Sequence, residues 1–139
     1  MKTTTVSGLF LVAALYDGLL GLAFLAAADW IFRSAQVTPP NHFGYVQFPG
    51  AILMVFGIMF AAVARRPREN RNLIPYGILL KASYCGVAGY HWLASGIPGL
   101  WKPFVVIDLV FLVLFLLAYR SLGQPERQTS AVVRTGGAP

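Results

Sequence analysis

The chain has 139 residues, of which 57% are hydrophobic and 12% charged, and it carries a formal net charge of +6. An ordinary soluble domain has about a quarter of its residues charged, so this composition excludes that class. It also sets aside nucleic acid, the partner that a basic balance would imply in a soluble protein. What remains is a polytopic membrane protein of one domain. The expected fold is all-α, a four-helix bundle over residues 1–120, followed by a flexible cytoplasmic tail over residues 121–139.

Four apolar stretches, at about residues 6–28, 48–64, 73–94 and 100–119, each come close to the roughly 20 residues that a span requires. The first is interrupted by one ionisable residue, Asp17. Ala26, Ala27 and Ala28 resemble a signal-cleavage site, but only Lys2 precedes the run and Asp17 breaks it. It is therefore read as a retained span. Ala14 with Gly18, and Asp17 with Gly21, give it a face suited to close approach. The connection after it is the longest, and Pro39-Pro40-Asn41 marks a turn there.

The second stretch repeats Gly50, Met54, Gly57 and Ala61 at three- and four-residue spacing. Such a small-residue seam lets another backbone come near. Pro49, Pro75 and Pro103 are each placed in the first turn or so of a span, where proline forgoes no intrahelical hydrogen bond. After the second stretch comes the run Arg65-Arg66-Pro67-Arg68-Glu69-Asn70-Arg71. With four spans, this loop and both termini share one side. Lys2, Arg65, Arg66, Arg68, Arg71, Arg120, Arg127 and Arg134 fall on it, against Arg33 and Lys102 on the other. Basic residues gather on the cytoplasmic face, so both termini are expected inside. Trp30, Phe43, Tyr45, Trp92 and Trp101 are expected in an outer interfacial belt, with Tyr119 in the inner one.

The third stretch carries Lys81. Tyr84, Cys85, Ala88, His91, Trp92 and Ser95 follow it on one face at the helical period. Lipid tolerates such a polar stripe poorly, so it is expected to face the bundle interior. The fourth stretch carries Asp108. At about 1.5 Å of rise per residue, Lys81 lies roughly 18 Å from the outer helix ends, Asp17 roughly 16 Å and Asp108 roughly 12 Å. A lysine stem spans that difference, so an Asp17–Lys81–Asp108 cluster is expected. Its formal sum is minus one, and it is expected to share a proton.

A buried charge costs several kcal/mol unless it is paired or lines a wet cavity. Such a cluster is thus either a registry device between helices or a site. Asp29, Asn41 and His42, with His91 and Trp92, form a second candidate constellation at the outer mouth. Histidines with a carboxylate have the chemistry to hold a metal or sense pH, though the commoner fate of His91 is a hydrogen bond to a carbonyl. The lone Cys85 permits no intramolecular disulfide and reads as a small packing residue. No phosphate loop, Ser-His-Asp spacing or zinc-ligand pair is present in the sequence, and no metal or cofactor is assigned.

Several segments together resemble the DoxX-like group of small four-helix bacterial membrane proteins. These are Tyr16-Asp17-Gly18-Leu19-Leu20-Gly21, the proline-containing outer loop, and Gly44-Tyr45-Val46-Gln47 leading into a small-residue helix. The arginine-rich run 64–72 and Tyr76-Gly77-Ile78-Leu79-Leu80-Lys81 complete the likeness, which covers about residues 6–120. The resemblance implies a bacterial inner (plasma) membrane protein, an accessory or anchor subunit beside a quinone-linked redox partner. The chain has no haem or iron–sulfur ligand set of its own. Three functions stay open on the residues. One is that accessory subunit; another is a small transporter or binding protein for a polar or ionic solute using the charge cluster. The third is a membrane enzyme acting on an apolar substrate. The surroundings of Lys81 are what separate them.

Overall fold

A computed structural model describes residues 1–123. The tail expected beyond the bundle lies, from residue 124 onward, outside the described residues. Among these residues there are four α-helices: α1 (Thr3–Ser34), α2 (Gly44–Arg65), α3 (Ile74–Ala94) and α4 (Lys102–Leu122). A short 3-10 turn, Arg71–Leu73, leads into α3, and there is no strand among the described residues. Helices α1, α2 and α4 are long and apolar enough to cross a membrane. Helix α3 is not among them, because Gly77, Lys81, Ser83, Gly86, Gly89 and His91 dilute its apolar content.

The helix limits differ from the expected ones for local reasons. Past Ala28 the sequence turns polar, yet α1 runs on to Ser34. Asp29 and Arg33, one turn apart, pair at 2.7 Å and support the extension. Helical geometry breaks at Ala27, with φ −135° and ψ 26°. Near this break the Gln47 amide donates to the Leu25 carbonyl at 3.2 Å, tying α2 to α1. Because α2 begins at Gly44, Pro49 lies inside the helix rather than at its first turn. It therefore does forgo a backbone hydrogen bond, the one that Tyr45's carbonyl would have accepted. Pro75 and Pro103 do stand at helix starts.

The buried residues of α1 are Val6, Phe10, Ala13, Asp17, Gly21, Phe24, Ala28 and Phe32, at steps of three and four. That is one continuous inward stripe, and Asp17 sits in the middle of it. In α4 the stripe is Val105, Asp108, Phe111, Phe115 and Ala118. Helices α1 and α2 meet along the small-residue seam. A Cβ on Gly57 would lie 3.0 Å from the Gly18 backbone, and one on Gly21 would meet the Gly50 carbonyl and, at 2.9 Å, Met54. The pairing of 18 with 57 and 21 with 50 and 54 makes the two helices antiparallel.

The half of the bundle nearer the arginine-rich loop is filled. Phe10 stacks on Phe115 at 4.5 Å, and both rings lie against Phe60 at 5.8 and 5.1 Å. Val6, Val63, Ile74 and Ala118 complete this core. Gly77 makes room for it: a Cβ there would press on Phe60 and come within 3.3 Å of Phe115. Arg71 closes the end, donating from Nε to the Tyr119 carbonyl at 3.1 Å while its guanidinium lies 3.8 Å above the Tyr119 ring. Tyr119 is thus half-buried beneath Arg71 at this end of the bundle.

Candidate functional site

Asp17, Lys81 and Asp108 come together at the top of this core. The Lys81 ammonium donates to both oxygens of Asp17, at 2.7 and 2.9 Å, and to Oδ1 of Asp108 at 2.9 Å. An ammonium has three protons to give, and all three are given to carboxylates. The rings of Tyr16 and Phe111 flank it with centroids 5.1 and 5.5 Å away. Lys81 and Asp17 have no exposed surface, whereas the Asp108 side chain keeps 8%. Lysine is therefore sealed, and Asp108 is the member that remains accessible.

What it is accessible to is a cavity of about 530 Å³. Asp17, Asp108 and Tyr16 form its floor, and Phe24, Trp101 and Phe104 line one wall. Phe24 stacks on Trp101 at 5.6 Å and meets Phe104 edge-on at 6.5 Å, so that wall is a continuous aromatic surface. Tyr45, Phe48 and Ile52 of α2 line the cavity and are also exposed, which places its opening along α2. The Tyr16 hydroxyl, buried at the floor, has no hydrogen-bond partner among the described residues. Tyr84 also lines the space, its hydroxyl only 3.5 Å from the Trp101 carbonyl, a weak contact. The interior is therefore asymmetric about the charge cluster, solid on one side and hollow on the other.

The stripe of α3 does not act as one unit. Lys81 is buried, and Tyr84 and Cys85 are half-buried against α4, with Cys85 Sγ 3.7 Å from the Val105 carbonyl. Farther along, His91 and Ser95 are exposed, and the Ser95 hydroxyl donates to the His91 carbonyl at 3.3 Å. Trp92 lies under the Lys102 ammonium, 5.6 Å from its ring centroid. The expectation of an inward stripe reaching the outer end thus fails at His91, which is exposed, while Trp92 beside it is half-buried under Lys102.

The outer-mouth residues serve local contacts. Asp29 is paired with Arg33, His42 Nδ1 accepts the N–H of Gly44 at 3.0 Å, and Asn41 is exposed. No group of three or more His, Cys, Asp or Glu side chains placed to hold a metal occurs among the described residues. Trp101, expected in an interfacial belt, stacks on Phe24 and forms part of the cavity wall.

The cavity itself was not foreseen, although part of its lining was legible. Phe24 follows Asp17 by seven residues, and Trp101 and Phe104 precede Asp108 by seven and four. On antiparallel helices these spacings carry both aromatic faces away from the acids in the same direction.

Fold and site together define a four-helix α-protein with three candidate membrane spans and an apolar cavity floored by a buried acid–base cluster. Comparison with protein-family profiles, with curated proteins and with solved structures finds no match for the chain.

Proposed function

We propose that the protein is an integral membrane four-helix bundle whose cavity binds a small, mostly apolar molecule by its single polar group. The observation that carries this reading is the aromatic cavity ending on Asp108 and the unpartnered Tyr16 hydroxyl. Ligand sites are typically apolar pockets with a few convergent polar groups. In this reading α3 is the fourth span despite its lower hydropathy. Lys81 is buried and Tyr84 and Cys85 beside it are half-buried, while Leu79, Val87, Tyr90 and Leu93 form an exposed apolar face suited to lipid. Both termini are cytoplasmic, in a bacterial inner membrane, as the arginine-rich end and the DoxX-like resemblance imply. The accessory-subunit role draws on that resemblance alone, so the binding role leads. The cavity also redirects the polar-solute alternative, because its walls suit an apolar body.

The test uses the full chain in phosphatidylcholine nanodiscs, with 9-anthracenylmethanol as probe and empty discs subtracted. Saturable binding near one probe per chain is expected. Leu53 of α2 also lines the cavity, and Leu53→Trp, which fills part of it, is expected to weaken binding roughly tenfold, the equivalent of about 1.4 kcal/mol. Binding that never saturates, or that ignores Leu53→Trp, overturns the reading. Orientation is checked separately in a Cys85→Ser background, where Arg65→Cys and His42→Cys should label from opposite sides of sealed vesicles.

A further inference from the structure

The geometry points to a lipophilic cation, an ammonium-type group on an aromatic or aliphatic body, as the ligand class of this cavity. The inference rests on the binding role proposed above and adds the sign of the ligand's charge. Lys81 supplies one positive charge to two carboxylates, and its three protons are all committed to them. With both acids ionised the cluster lacks one positive charge, which a shared proton or a bound cation can supply, and no second cation among the described residues is paired with it. The groups facing it are Tyr16 from α1, Tyr84 and Cys85 from α3, and the Phe111 ring from α4. Helix α2 contributes only uncharged cavity walls, with Tyr45 at the rim.

The deficit also has a direction. Both acids border the cavity, but Asp17 spends both oxygens on Lys81 and has no exposed surface, while Asp108 spends one and keeps a slight exposure. A ligand entering from α2 therefore meets the second oxygen of Asp108 as the one free acceptor of the cluster. An anion is repelled there, and a neutral hydroxyl leaves the charge unmatched. A cation neutralises it where few water molecules screen the attraction. The walls serve the same charge. Phe24, Tyr45, Trp101 and Phe104 put four aromatic rings around the space, and the faces of such rings attract cations, more strongly where the site is dry. The Lys81 ammonium already lies over two rings in this manner. A quaternary or tertiary ammonium, weakly hydrated and bearing an apolar body, matches both the floor and the walls.

Three probes with the same anthracene body separate the possibilities: 9-anthracenylmethyl-trimethylammonium, 9-anthracenylmethanol and 9-anthracenecarboxylate. Each is titrated into the full chain in phosphatidylcholine nanodiscs, with empty-disc partitioning subtracted. The cation is expected to bind at least roughly tenfold tighter than the alcohol, and the carboxylate weakest. Asp108→Asn keeps the Lys81–Asp17 pair and is expected to bring the ratio of cation to alcohol affinity down to about one. Asp108→Glu, which keeps the charge, is expected to retain the preference, so a folding defect is not mistaken for a charge effect. Equal or weaker binding of the cation than of the alcohol overturns this inference and leaves the binding role standing. So does a cation preference that survives Asp108→Asn. Saturable binding by none of the three overturns both.

Discussion

Gly21 of α1 and Gly50 of α2 face each other with no side chain between them, so that a Cβ on Gly50 would lie 2.9 Å from the Gly21 carbonyl oxygen. The obstacle is backbone, which has no rotamer with which to step aside. Gly50→Val and Gly21→Val are therefore expected to push the helices apart, at about 1 to 3 kcal/mol each. Gly86→Ala on α3, with nothing within 4 Å, is the control and should be neutral or slightly stabilising. Thermal unfolding of the purified protein in detergent, followed by circular dichroism, measures the difference.

Lys81 is the only cation in the cluster, and removing it alone strands two buried carboxylates. Lys81→Met is expected to cost about 3 to 5 kcal/mol, the usual result of breaking a buried pair. Adding Asp17→Asn and Asp108→Asn to it should recover most of that loss. If the triple variant unfolds as easily as Lys81→Met, the cluster does more for the fold than balance charge.

At the other end, Arg71 and Arg66 have the same charge and different tasks. Arg66 makes an exposed pair with Glu69 at 3.0 Å, and Arg66→Ala should change stability by less than about 1 kcal/mol. Arg71 stacks on Tyr119 and caps its carbonyl from the short turn before α3. Arg71→Ala should cost roughly 1 to 2 kcal/mol, from the loss of a cation–π contact and a charged hydrogen bond. Arg71→Lys should recover little of it, because an ammonium lacks the planar face that stacks. The same unfolding assay ranks the three.

The filled and hollow halves should respond separately. Phe115 is fully buried among Phe10, Phe60 and Phe111. Phe115→Ala is expected to lose about 3 to 5 kcal/mol of stability yet bind 9-anthracenylmethanol normally wherever it remains folded. Trp101→Ala should show the opposite balance, with weaker binding and the smaller loss in unfolding temperature.

Much of this arrangement was written in spacing. Depth counting brought Asp17, Lys81 and Asp108 to one level because helical rise is nearly constant. The glycine seam was readable for a similar reason: small residues at helical spacing have one geometric use. Gly77 and Lys81, one turn apart on α3, proved to serve different layers, the first admitting Phe60 and Phe115 and the second holding the acids. What resisted reading was absence. A cavity is atoms that fail to fill a space, and that depends on how four helices tilt together rather than on any one helix. The exposure of His91 has the same origin, since periodicity orients a side chain without saying whether a neighbour reaches that far. The extension of α1 to Ser34 was hidden by the polar turn after Ala28, where the Asp29–Arg33 pair replaces apolar burial.

Asp17 precedes its counter-ion by 64 residues, which has a consequence for how the chain is made. At about 5 to 20 residues per second, a ribosome takes roughly 3 to 13 s to reach Lys81 after adding Asp17. On the membrane reading, the nascent α1 would enter the translocon with an unmatched acid and wait there for α3. The glycine seam gives it a companion in the meantime, since α2 is complete before Lys81 is translated and docks on the face that carries Gly18 and Gly21. Biogenesis then proceeds hairpin by hairpin, with the late arrival of lysine locking the early half in place.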